Sequence, residues 1–589
     1  MVRDISKQTA AGGITFKTIN MRFRDLEWWL VGLMGVVAFV LAFSGFYVIF
    51  NEAGTDRNFL DLIYHSIKVF GMDIIDDYTS PLPWQLETAR WLAPAVLIYT
   101  AIKAILYLVR REIKSAFVAY YRDHVIVTGL SDNSKHLISD LLAHSEKVIV
   151  IGAIPHPWKL DQVEKEGAII IEGDLTQKSF LRYIGASRAK FFVFVEENDE
   201  KNLSDARAVY NFLAVSGKDR HQMLYTHISD DLKLDEIKGL HLLEDQASVN
   251  RTDLNCEIRI FSACERSSRI IFNKFSPDRF TKVTSPEDPQ VRVAVIGSGS
   301  LAQSMVIRFA RLGHFANLRK MQICLFQEEP SMASRLERSF RQLRNFVDIL
   351  LVDQPYDLFD SEEFERLNST APFSAVYLLC ENDSAAASIL NKLSKIDTGV
   401  KMNVILALND PVGMLGRWVT EKNLGNIALH KFNVTGETFT KKGLILEELD
   451  RLAIVIHEDY LSKIESPDPN RASHKPWRQL PVDFRNQNRD QADHLGVKLR
   501  TIGYDLEDHL SSVVITPEKA ELLAMMEHNR WWAHMALSGW TLNGKKDDLK
   551  KKHTDLLPYE QLSEGTKNYD RNTVKNIPLL LGKYLSAIL

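Results

Sequence analysis

The sequence predicts a multidomain chain: a two-helix α transmembrane hairpin, two Rossmann-like α/β domains in tandem, and a mainly α-helical C-terminal module. Three observations predict this. Residues Trp28 to Phe50 form an uncharged apolar run. From His124 onward, short β-branched runs alternate with helical patterns, and the alternation restarts at Val291. Beyond about residue 440 that rhythm stops, and a charged, Trp-rich helical sequence follows.

The first element is the span 28–50. At 1.5 Å rise per residue, a run of this length crosses a hydrocarbon core of roughly 30 Å, and core helices of soluble proteins rarely stay uncharged for so long. A second span is predicted over 91–109, although Pro94 kinks it and Lys103 lies inside it, where a charge must snorkel, pair or face a polar cavity. Lys17, Arg22 and Arg24 precede the first span and Arg110, Arg111 and Lys114 follow the second, while the loop between carries Asp56, Asp61, Asp73, Asp76, Asp77 and Glu87. That asymmetry predicts an inner-membrane (cytoplasmic membrane) protein in contact with the lipid bilayer, both termini cytoplasmic. A cleaved signal peptide is not expected, because the run starts late and lacks a small-residue cleavage site.

The membrane module is assigned to residues 1–115, with a re-entrant-like helix over 58–73. The layout of span, short helix, Gly turn and span resembles the pore module of two-helix cation channels, as does the helix start Asp61-Leu-Ile-Tyr64. Potassium channels follow this helix with a TVGYG-type backbone whose stacked carbonyls replace the ion's water. Here Phe70-Gly-Met-Asp73 stands in that place. One glycine cannot supply four carbonyl rings, so potassium selectivity is not expected. The pore candidates are Lys68, Phe70, Gly71, Met72 and Asp73; the alternative is an extracytoplasmic helix that packs the two spans.

The first α/β domain, 122–284, has predicted strands at Val125–Thr128, Val148–Ile151, Ala168–Ile171, Phe191–Val195 and Met223–Thr226, a parallel βαβ pattern. The turn Thr128-Gly-Leu-Ser-Asp-Asn-Ser134 and the block from Glu172 to Ala189 resemble the regulator-of-potassium-conductance (RCK, TrkA-N) domain. A dinucleotide site needs glycines beneath the pyrophosphate and an acid at the end of the second strand. This copy has Ser131 at the second glycine position and no carboxylate in Ile151-Gly-Ala-Ile-Pro155, so an assembly role is expected rather than NAD binding.

The second α/β domain, 290–440, follows the Pro-rich linker Ser285-Pro-Glu-Asp-Pro289. Gly297, Gly299 and Ala302 match G-x-G-x-x-G/A directly after a strand and before a helix, and the second strand ends at Gln327-Glu-Glu329, where Glu328 is placed to meet a ribose. A nucleotide or dinucleotide ligand is the cofactor candidate; a fold-only turn that binds nothing is the alternative. Pore-like spans followed by two such domains are similar to tandem-domain ligand-gated potassium channels. That resemblance implies a homo-oligomer, a tetramer favoured, whose cytosolic domains form a gating ring.

The C-terminal module, 441–589, contains Leu452-Ala-Ile-Val-Ile-His-Glu-Asp-Tyr460, Phe484-Arg-Asn-Gln-Asn-Arg489, Glu527-His-Asn-Arg-Trp-Trp-Ala533, Ser538-Gly-Trp540 and Tyr569-Asp-Arg-Asn572. These strings resemble the ryanodine-receptor (RyR) repeat domain in its bacterial versions, which look like sensors of a nucleotide-derived signal. The expected ligand residues are Arg485, Asn488, Arg489, His528, Arg530, Trp531, Trp540 and Tyr559, because guanidinium forks and aromatic faces suit a phosphate-bearing base. The plain reading of the same spacing is a packed helix with aromatics as core. The run Lys545, Lys546 and Lys550 to Lys552 reads as a solvated face.

A net charge of -4 argues against a nucleic-acid partner. Cys256, Cys264, Cys324 and Cys380 lack metal or disulfide spacing. No HExxH, G-x-S-x-G or P-loop string is present, so no catalytic residue and no enzyme activity are expected, an NAD(H)-dependent enzyme being the third reading. The leading expectation is a ligand-gated, ion-channel-like membrane protein that couples a nucleotide-type signal to a cation pore with an unusual selectivity filter. The competing one is a non-conducting membrane-anchored nucleotide receptor.

Overall fold

The computed structural model describes residues 9–52, 54, 58–73, 81–118, 120–152, 163–215, 221–229, 256–328, 331–354, 359–397, 399–409, 413–421, 424–445, 447–468, 470–506 and 513–588. The chain divides into two compact units, Met1–Phe117 and Val118–Leu589.

The first unit is built on helix α1 (Thr9–Glu52), helix α2 (Phe59–Lys68) and helix α3 (Trp84–Val118). Within α1, Trp28–Glu52 is long and apolar enough to cross a membrane by length and composition. Small side chains let the backbones approach: Ala38 and Ala42 of α1 and Ala89 and Ala93 of α3 are buried, and a Cβ on Gly45 would lie 2.8 Å from that of Leu86. The outer faces stay apolar, with Trp29, Leu33, Val36 and Val40 exposed on α1 and Ile98, Ile102 and Ile105 on α3, a surface suited to lipid. The second expected span falls inside α3; Pro94 sits in that helix, and Lys103 Nζ lies 5.4 Å from the Tyr99 ring centroid. Side chains 106–117 lie outside the described ones.

A short 3-10 turn, Val69–Gly71, ends α2, and Met72 adopts a left-handed conformation at φ +64°. Phe70 packs against the hairpin core, while Lys68 Nζ pairs with Asp73 Oδ2 at 2.8 Å on an exposed surface. Replacing Gly45 with valine should force α1 and α3 apart. The expected cost is about 1–3 kcal/mol of overpacking, read as a lower thermal midpoint in detergent; an unchanged midpoint would refute the close crossing.

The second unit holds two six-stranded, all-parallel sheets of identical topology. Strands β1 (His124–Thr128), β2 (Lys147–Ile151), β3 (Ile169–Ile171), β4 (Phe191–Phe194), β5 (Gln222–His227) and β6 (Cys256–Phe261) are ordered β3-β2-β1-β4-β5-β6. Strands β7 (Arg292–Ile296), β8 (Met321–Gln327), β9 (Val347–Asp353), β10 (Ala375–Leu378), β11 (Met402–Leu408) and β12 (Ile427–Asn433) are ordered β12-β11-β10-β7-β8-β9. In each sheet the order reverses between the first and fourth strands, which opens a crevice at their carboxyl ends. The central strands are buried on both faces, which accounts for their unbroken Val, Ile and Phe runs.

The C-terminal helices do not form a separate ball. Helix α4 (Asp132–Ala143) belongs to the first sheet, whereas helix α5 (Ala263–Phe275), helix α6 (Ser300–Leu312), helix α7 (Arg451–Ser462), helix α8 (Val482–Asp493) and helix α9 (Pro517–Leu537) share one apolar core on one face of the second sheet. That core joins Phe272, Phe309 and Tyr377 to Leu452, Leu495, Leu523 and Leu581. The segment after β12 crosses the other way. Phe439 and Leu444 are buried in the first sheet's core, and the Lys441 N–H donates to Asp140 Oδ2 of α4 at 2.7 Å.

Candidate functional site

The two Gly turns lie at the two crevices and differ in chemistry. In the first, Gly129 at φ +88° lies under the backbone of Glu196, and the Ser131 hydroxyl accepts from the Ser134 N–H, capping α4 internally. Asn202, fully buried, locks the acidic turn after β4: its Oδ1 accepts from the Glu196 N–H at 2.8 Å, and its Nδ2 donates to the Glu196 and His227 carbonyls. The Glu196 carboxylate is turned toward Lys201 Nζ, 2.7 Å away. No acid follows β2 up to Gly152, and residues 153–162 lie outside the described ones.

In the second turn the Gly297 N–H donates to the Phe326 carbonyl at 3.0 Å, which ties the end of β7 to the end of β8. Gly297 sits at φ +156°, and a Cβ there would collide with the Leu379 carbonyl. Gly299 is the N-cap of α6 and offers no side chain to its free N–H groups; Ala302 is fully buried beneath the turn. Glu328 is exposed directly after β8, whose last residue, Gln327, is buried with Nε2 donating to Asp353 at 2.6 Å. Gly297, Gly299, Ala302 and Glu328 therefore come together at one crevice. The Cys380 thiol beside them is pushed up to about 12 by burial, with Glu328 and Glu381 adding to the effect, so it stays protonated and unreactive. Glycines and a carboxylate at the ribose position suit a nucleotide. The phosphate position does not, because a Cβ on Gly299 would run into the Glu381 carboxylate, which already lies there.

The eight residues of the C-terminal module divide into separate groups. Arg485 on α8 pairs with Glu257 of β6 at 3.4 Å; its burial, with neighbouring Arg489, lowers its pKa to about 10. Arg489 binds Asp450 at 2.5 Å and Asn486 at 2.9 Å, and Asn488 donates to its own helix at the Phe484 carbonyl. Arg530 is fully buried against Glu527, which also binds Lys498 at 2.5 Å. The aromatic members do gather: His528 lies 5.7 Å from Trp531 and 5.9 Å from Tyr559, and His553 lies 5.0 Å from Trp531 and 6.2 Å from Trp540. The Tyr559 hydroxyl donates to Glu521 at 3.1 Å, and the His528 Nε2 meets the Leu557 carbonyl at 2.8 Å. Each of the three guanidiniums is thus held by a carboxylate of the chain itself, as a buried guanidinium demands.

Sequence reasoning missed the network that joins these parts. Arg308 of α6 binds Asp490 of α8 at 2.9 Å and Glu265 of α5 at 2.8 Å. Asp490 also meets His534 of α9 at 2.7 Å. Arg269 of α5 binds Asp493 and Asp450, each at 2.8 Å. Arg269, Arg308, Asp450, Asp490, Asp493 and His534 are all buried. No local spacing announces these pairs, because partners from α6 and α8 or from α5 and α8 lie far apart in the chain.

Two family models match the chain: a TrkA-N domain over residues 125–215 and a RyR domain over residues 510–583. The chain therefore carries both. Solved structures similar to it include GsuK bound to ADP, at 13% identity and a TM-score of 0.37 over 73% of this chain and 99% of that one. The GsuK channel bound to NAD matches at 11% identity and a TM-score of 0.35 over 73% and 86%. The GsuK channel matches at 14% identity and a TM-score of 0.37 over 71% and 96%. No curated protein matches the chain.

Proposed function

We propose that this protein is a nucleotide-regulated, ion-channel-like membrane protein, in which the 1–115 hairpin forms a cation pore and the α/β and RyR parts form its cytosolic sensor. One observation carries the reading: α6, the helix that opens at the Gly297 turn, is gripped by the C-terminal module through a shared apolar core and the Arg308–Asp490 pair. A ligand that favours one arrangement of the turn therefore acts on the RyR helices, shifting the equilibrium by its differential affinity for the two states. Coupling onward runs along the chain, since α3 ends at Val118 and β1 opens at His124. The aromatic group of His528, Trp531, Trp540 and Tyr559 is the second candidate ligand surface, with base stacking as its chemistry. Placement in the cytoplasmic membrane, both termini inside, and a homotetramer complete the proposal, with no enzymatic step.

The test is current through the full-length protein in planar bilayers, with ADP and NAD as probes. Nucleotide-dependent current altered by Asp73→Asn is expected, because Asp73, just past the end of α2, pairs with Lys68, the last residue of that helix. Silence with intact nucleotide binding would replace the channel reading with a non-conducting receptor.

A further inference from the structure

We infer that Glu381 is an internal occupant of the phosphate position in the second α/β domain, so that a nucleoside diphosphate enters only by displacing it. The inference rests on the proposed nucleotide-regulated function and adds the element that controls access. The chain leaves β10 directly over the Gly turn: the Leu379 N–H donates to the Ile296 carbonyl at 2.8 Å, and Asn409 Nδ2, just past β11, donates to the Glu381 carbonyl at 3.1 Å. The backbone of Glu381 is thereby pinned at the topological switch point. Its carboxylate lies across Gly299, where a Cβ would find no room. Gly299 contributes no capping side chain to α6, and the Glu381 carboxylate lies against Gly299 at the end of the helix where the dipole favours an anion. In a dinucleotide-binding fold that place belongs to the pyrophosphate.

The first domain provides the contrast. There Glu196 stands at the matching strand end, but Lys201 draws its carboxylate away and Ser131 caps the helix. In the second domain Glu328 is exposed directly after β8, while the Glu381 carboxylate lies against Gly299. Glu381 is an exposed residue, so its carboxylate can rotate into water when a stronger anion arrives. The exchange occurs at the N-terminus of α6, whose far end carries Arg308 into the buried network.

The experiment is calorimetric titration of full-length protein in detergent with ADP and with adenosine, for the wild type, Glu381→Gln and Glu381→Asp. Removing one like charge about 4 Å from a bound phosphate near a protein surface should tighten ADP binding by about tenfold or more in Glu381→Gln. Adenosine, which has no phosphate, should gain nothing. Glu381→Asp should fall between, and the wild-type deficit should shrink as added salt screens the repulsion. Equal ADP affinity in wild type and Glu381→Gln, or an equal gain for adenosine, would overturn the inference and leave the nucleotide reading standing. Absence of binding by every form to both probes would overturn the two together.

Discussion

Replacing Asp490 with alanine should destabilise the second unit by about 3–5 kcal/mol, the cost of leaving buried charges without their partner. Asp490 is fully enclosed and holds Arg308 at 2.9 Å and His534 at 2.7 Å. Burial alone would raise its carboxyl pKa, but the His534 hydrogen bond and the charges of Arg311, His534 and Arg308 outweigh burial and hold it well below the usual carboxylate range. Alanine removes the anion that Arg308 Nη1 and His534 Nδ1 share, leaving buried His534 without that partner and Arg308 only Glu265 at 2.8 Å and the more distant Asp493 at 3.5 Å. The exposed pair Arg366–Glu363, also at 2.7 Å, is the control: an exposed ion pair is worth about 0–1 kcal/mol, and Glu363→Ala should barely register. Denaturant unfolding of the full chain, together with protease sensitivity of the 441–589 segment, reads both. A loss under about 1 kcal/mol for Asp490→Ala would mean that water reaches the network and that it does not clamp the C-terminal helices.

The parts legible in the sequence are those whose physics is local. Val148–Ile151 and Phe191–Phe194 are central strands buried on both faces, so hydrophobicity alone marks them. The strands β6 and β12 are not legible because they are half-exposed, with Glu257 and Arg259 in one and His430 and Lys431 in the other breaking the apolar run. The Gly297 turn was readable because the G-x-G spacing reports a backbone requirement, and its four residues do come together. Glu381 was not, since nothing in Cys380-Glu-Asn382 says which way the carboxylate points. The arginines of the C-terminal module illustrate the same limit. The spacing of Arg485, Arg489 and Arg530 suits ligand forks, and the structure pairs these forks with Glu257, Asp450 and Glu527, two of which come from outside α8 and α9.

Acidification from pH 7.5 to 4.5 should unfold the second unit well before its carboxylates titrate, because several histidines are buried in the neutral form. Burial lowers His227 and His314 to about 4, against small opposing effects from Asp199 and from the Ala310 carbonyl respectively. His124 is likewise lowered to about 4, mainly by burial, with the Ile184 carbonyl opposing. Each titrates near 6.5 when unfolded. A group with a depressed folded pKa takes up its proton more readily in the unfolded state, so the stability it carries is complete above about pH 6.5 and is lost as pH falls toward 4. A difference of that size is worth about 3 kcal/mol per histidine, so three together approach the whole stability of a typical domain, about 5–15 kcal/mol. The depressed carboxylates Asp450, Asp490 and Glu527 add their loss only below about pH 4. His227→Phe isolates one contribution: the ring sits 5.3 Å from Phe261 and 5.6 Å from Phe439, so phenylalanine keeps the packing and removes the proton. Its unfolding free energy should vary with pH by about one proton less than wild type between 6.5 and 4. An unchanged slope would show that water, rather than the Phe261–Phe439 cluster, surrounds that imidazole.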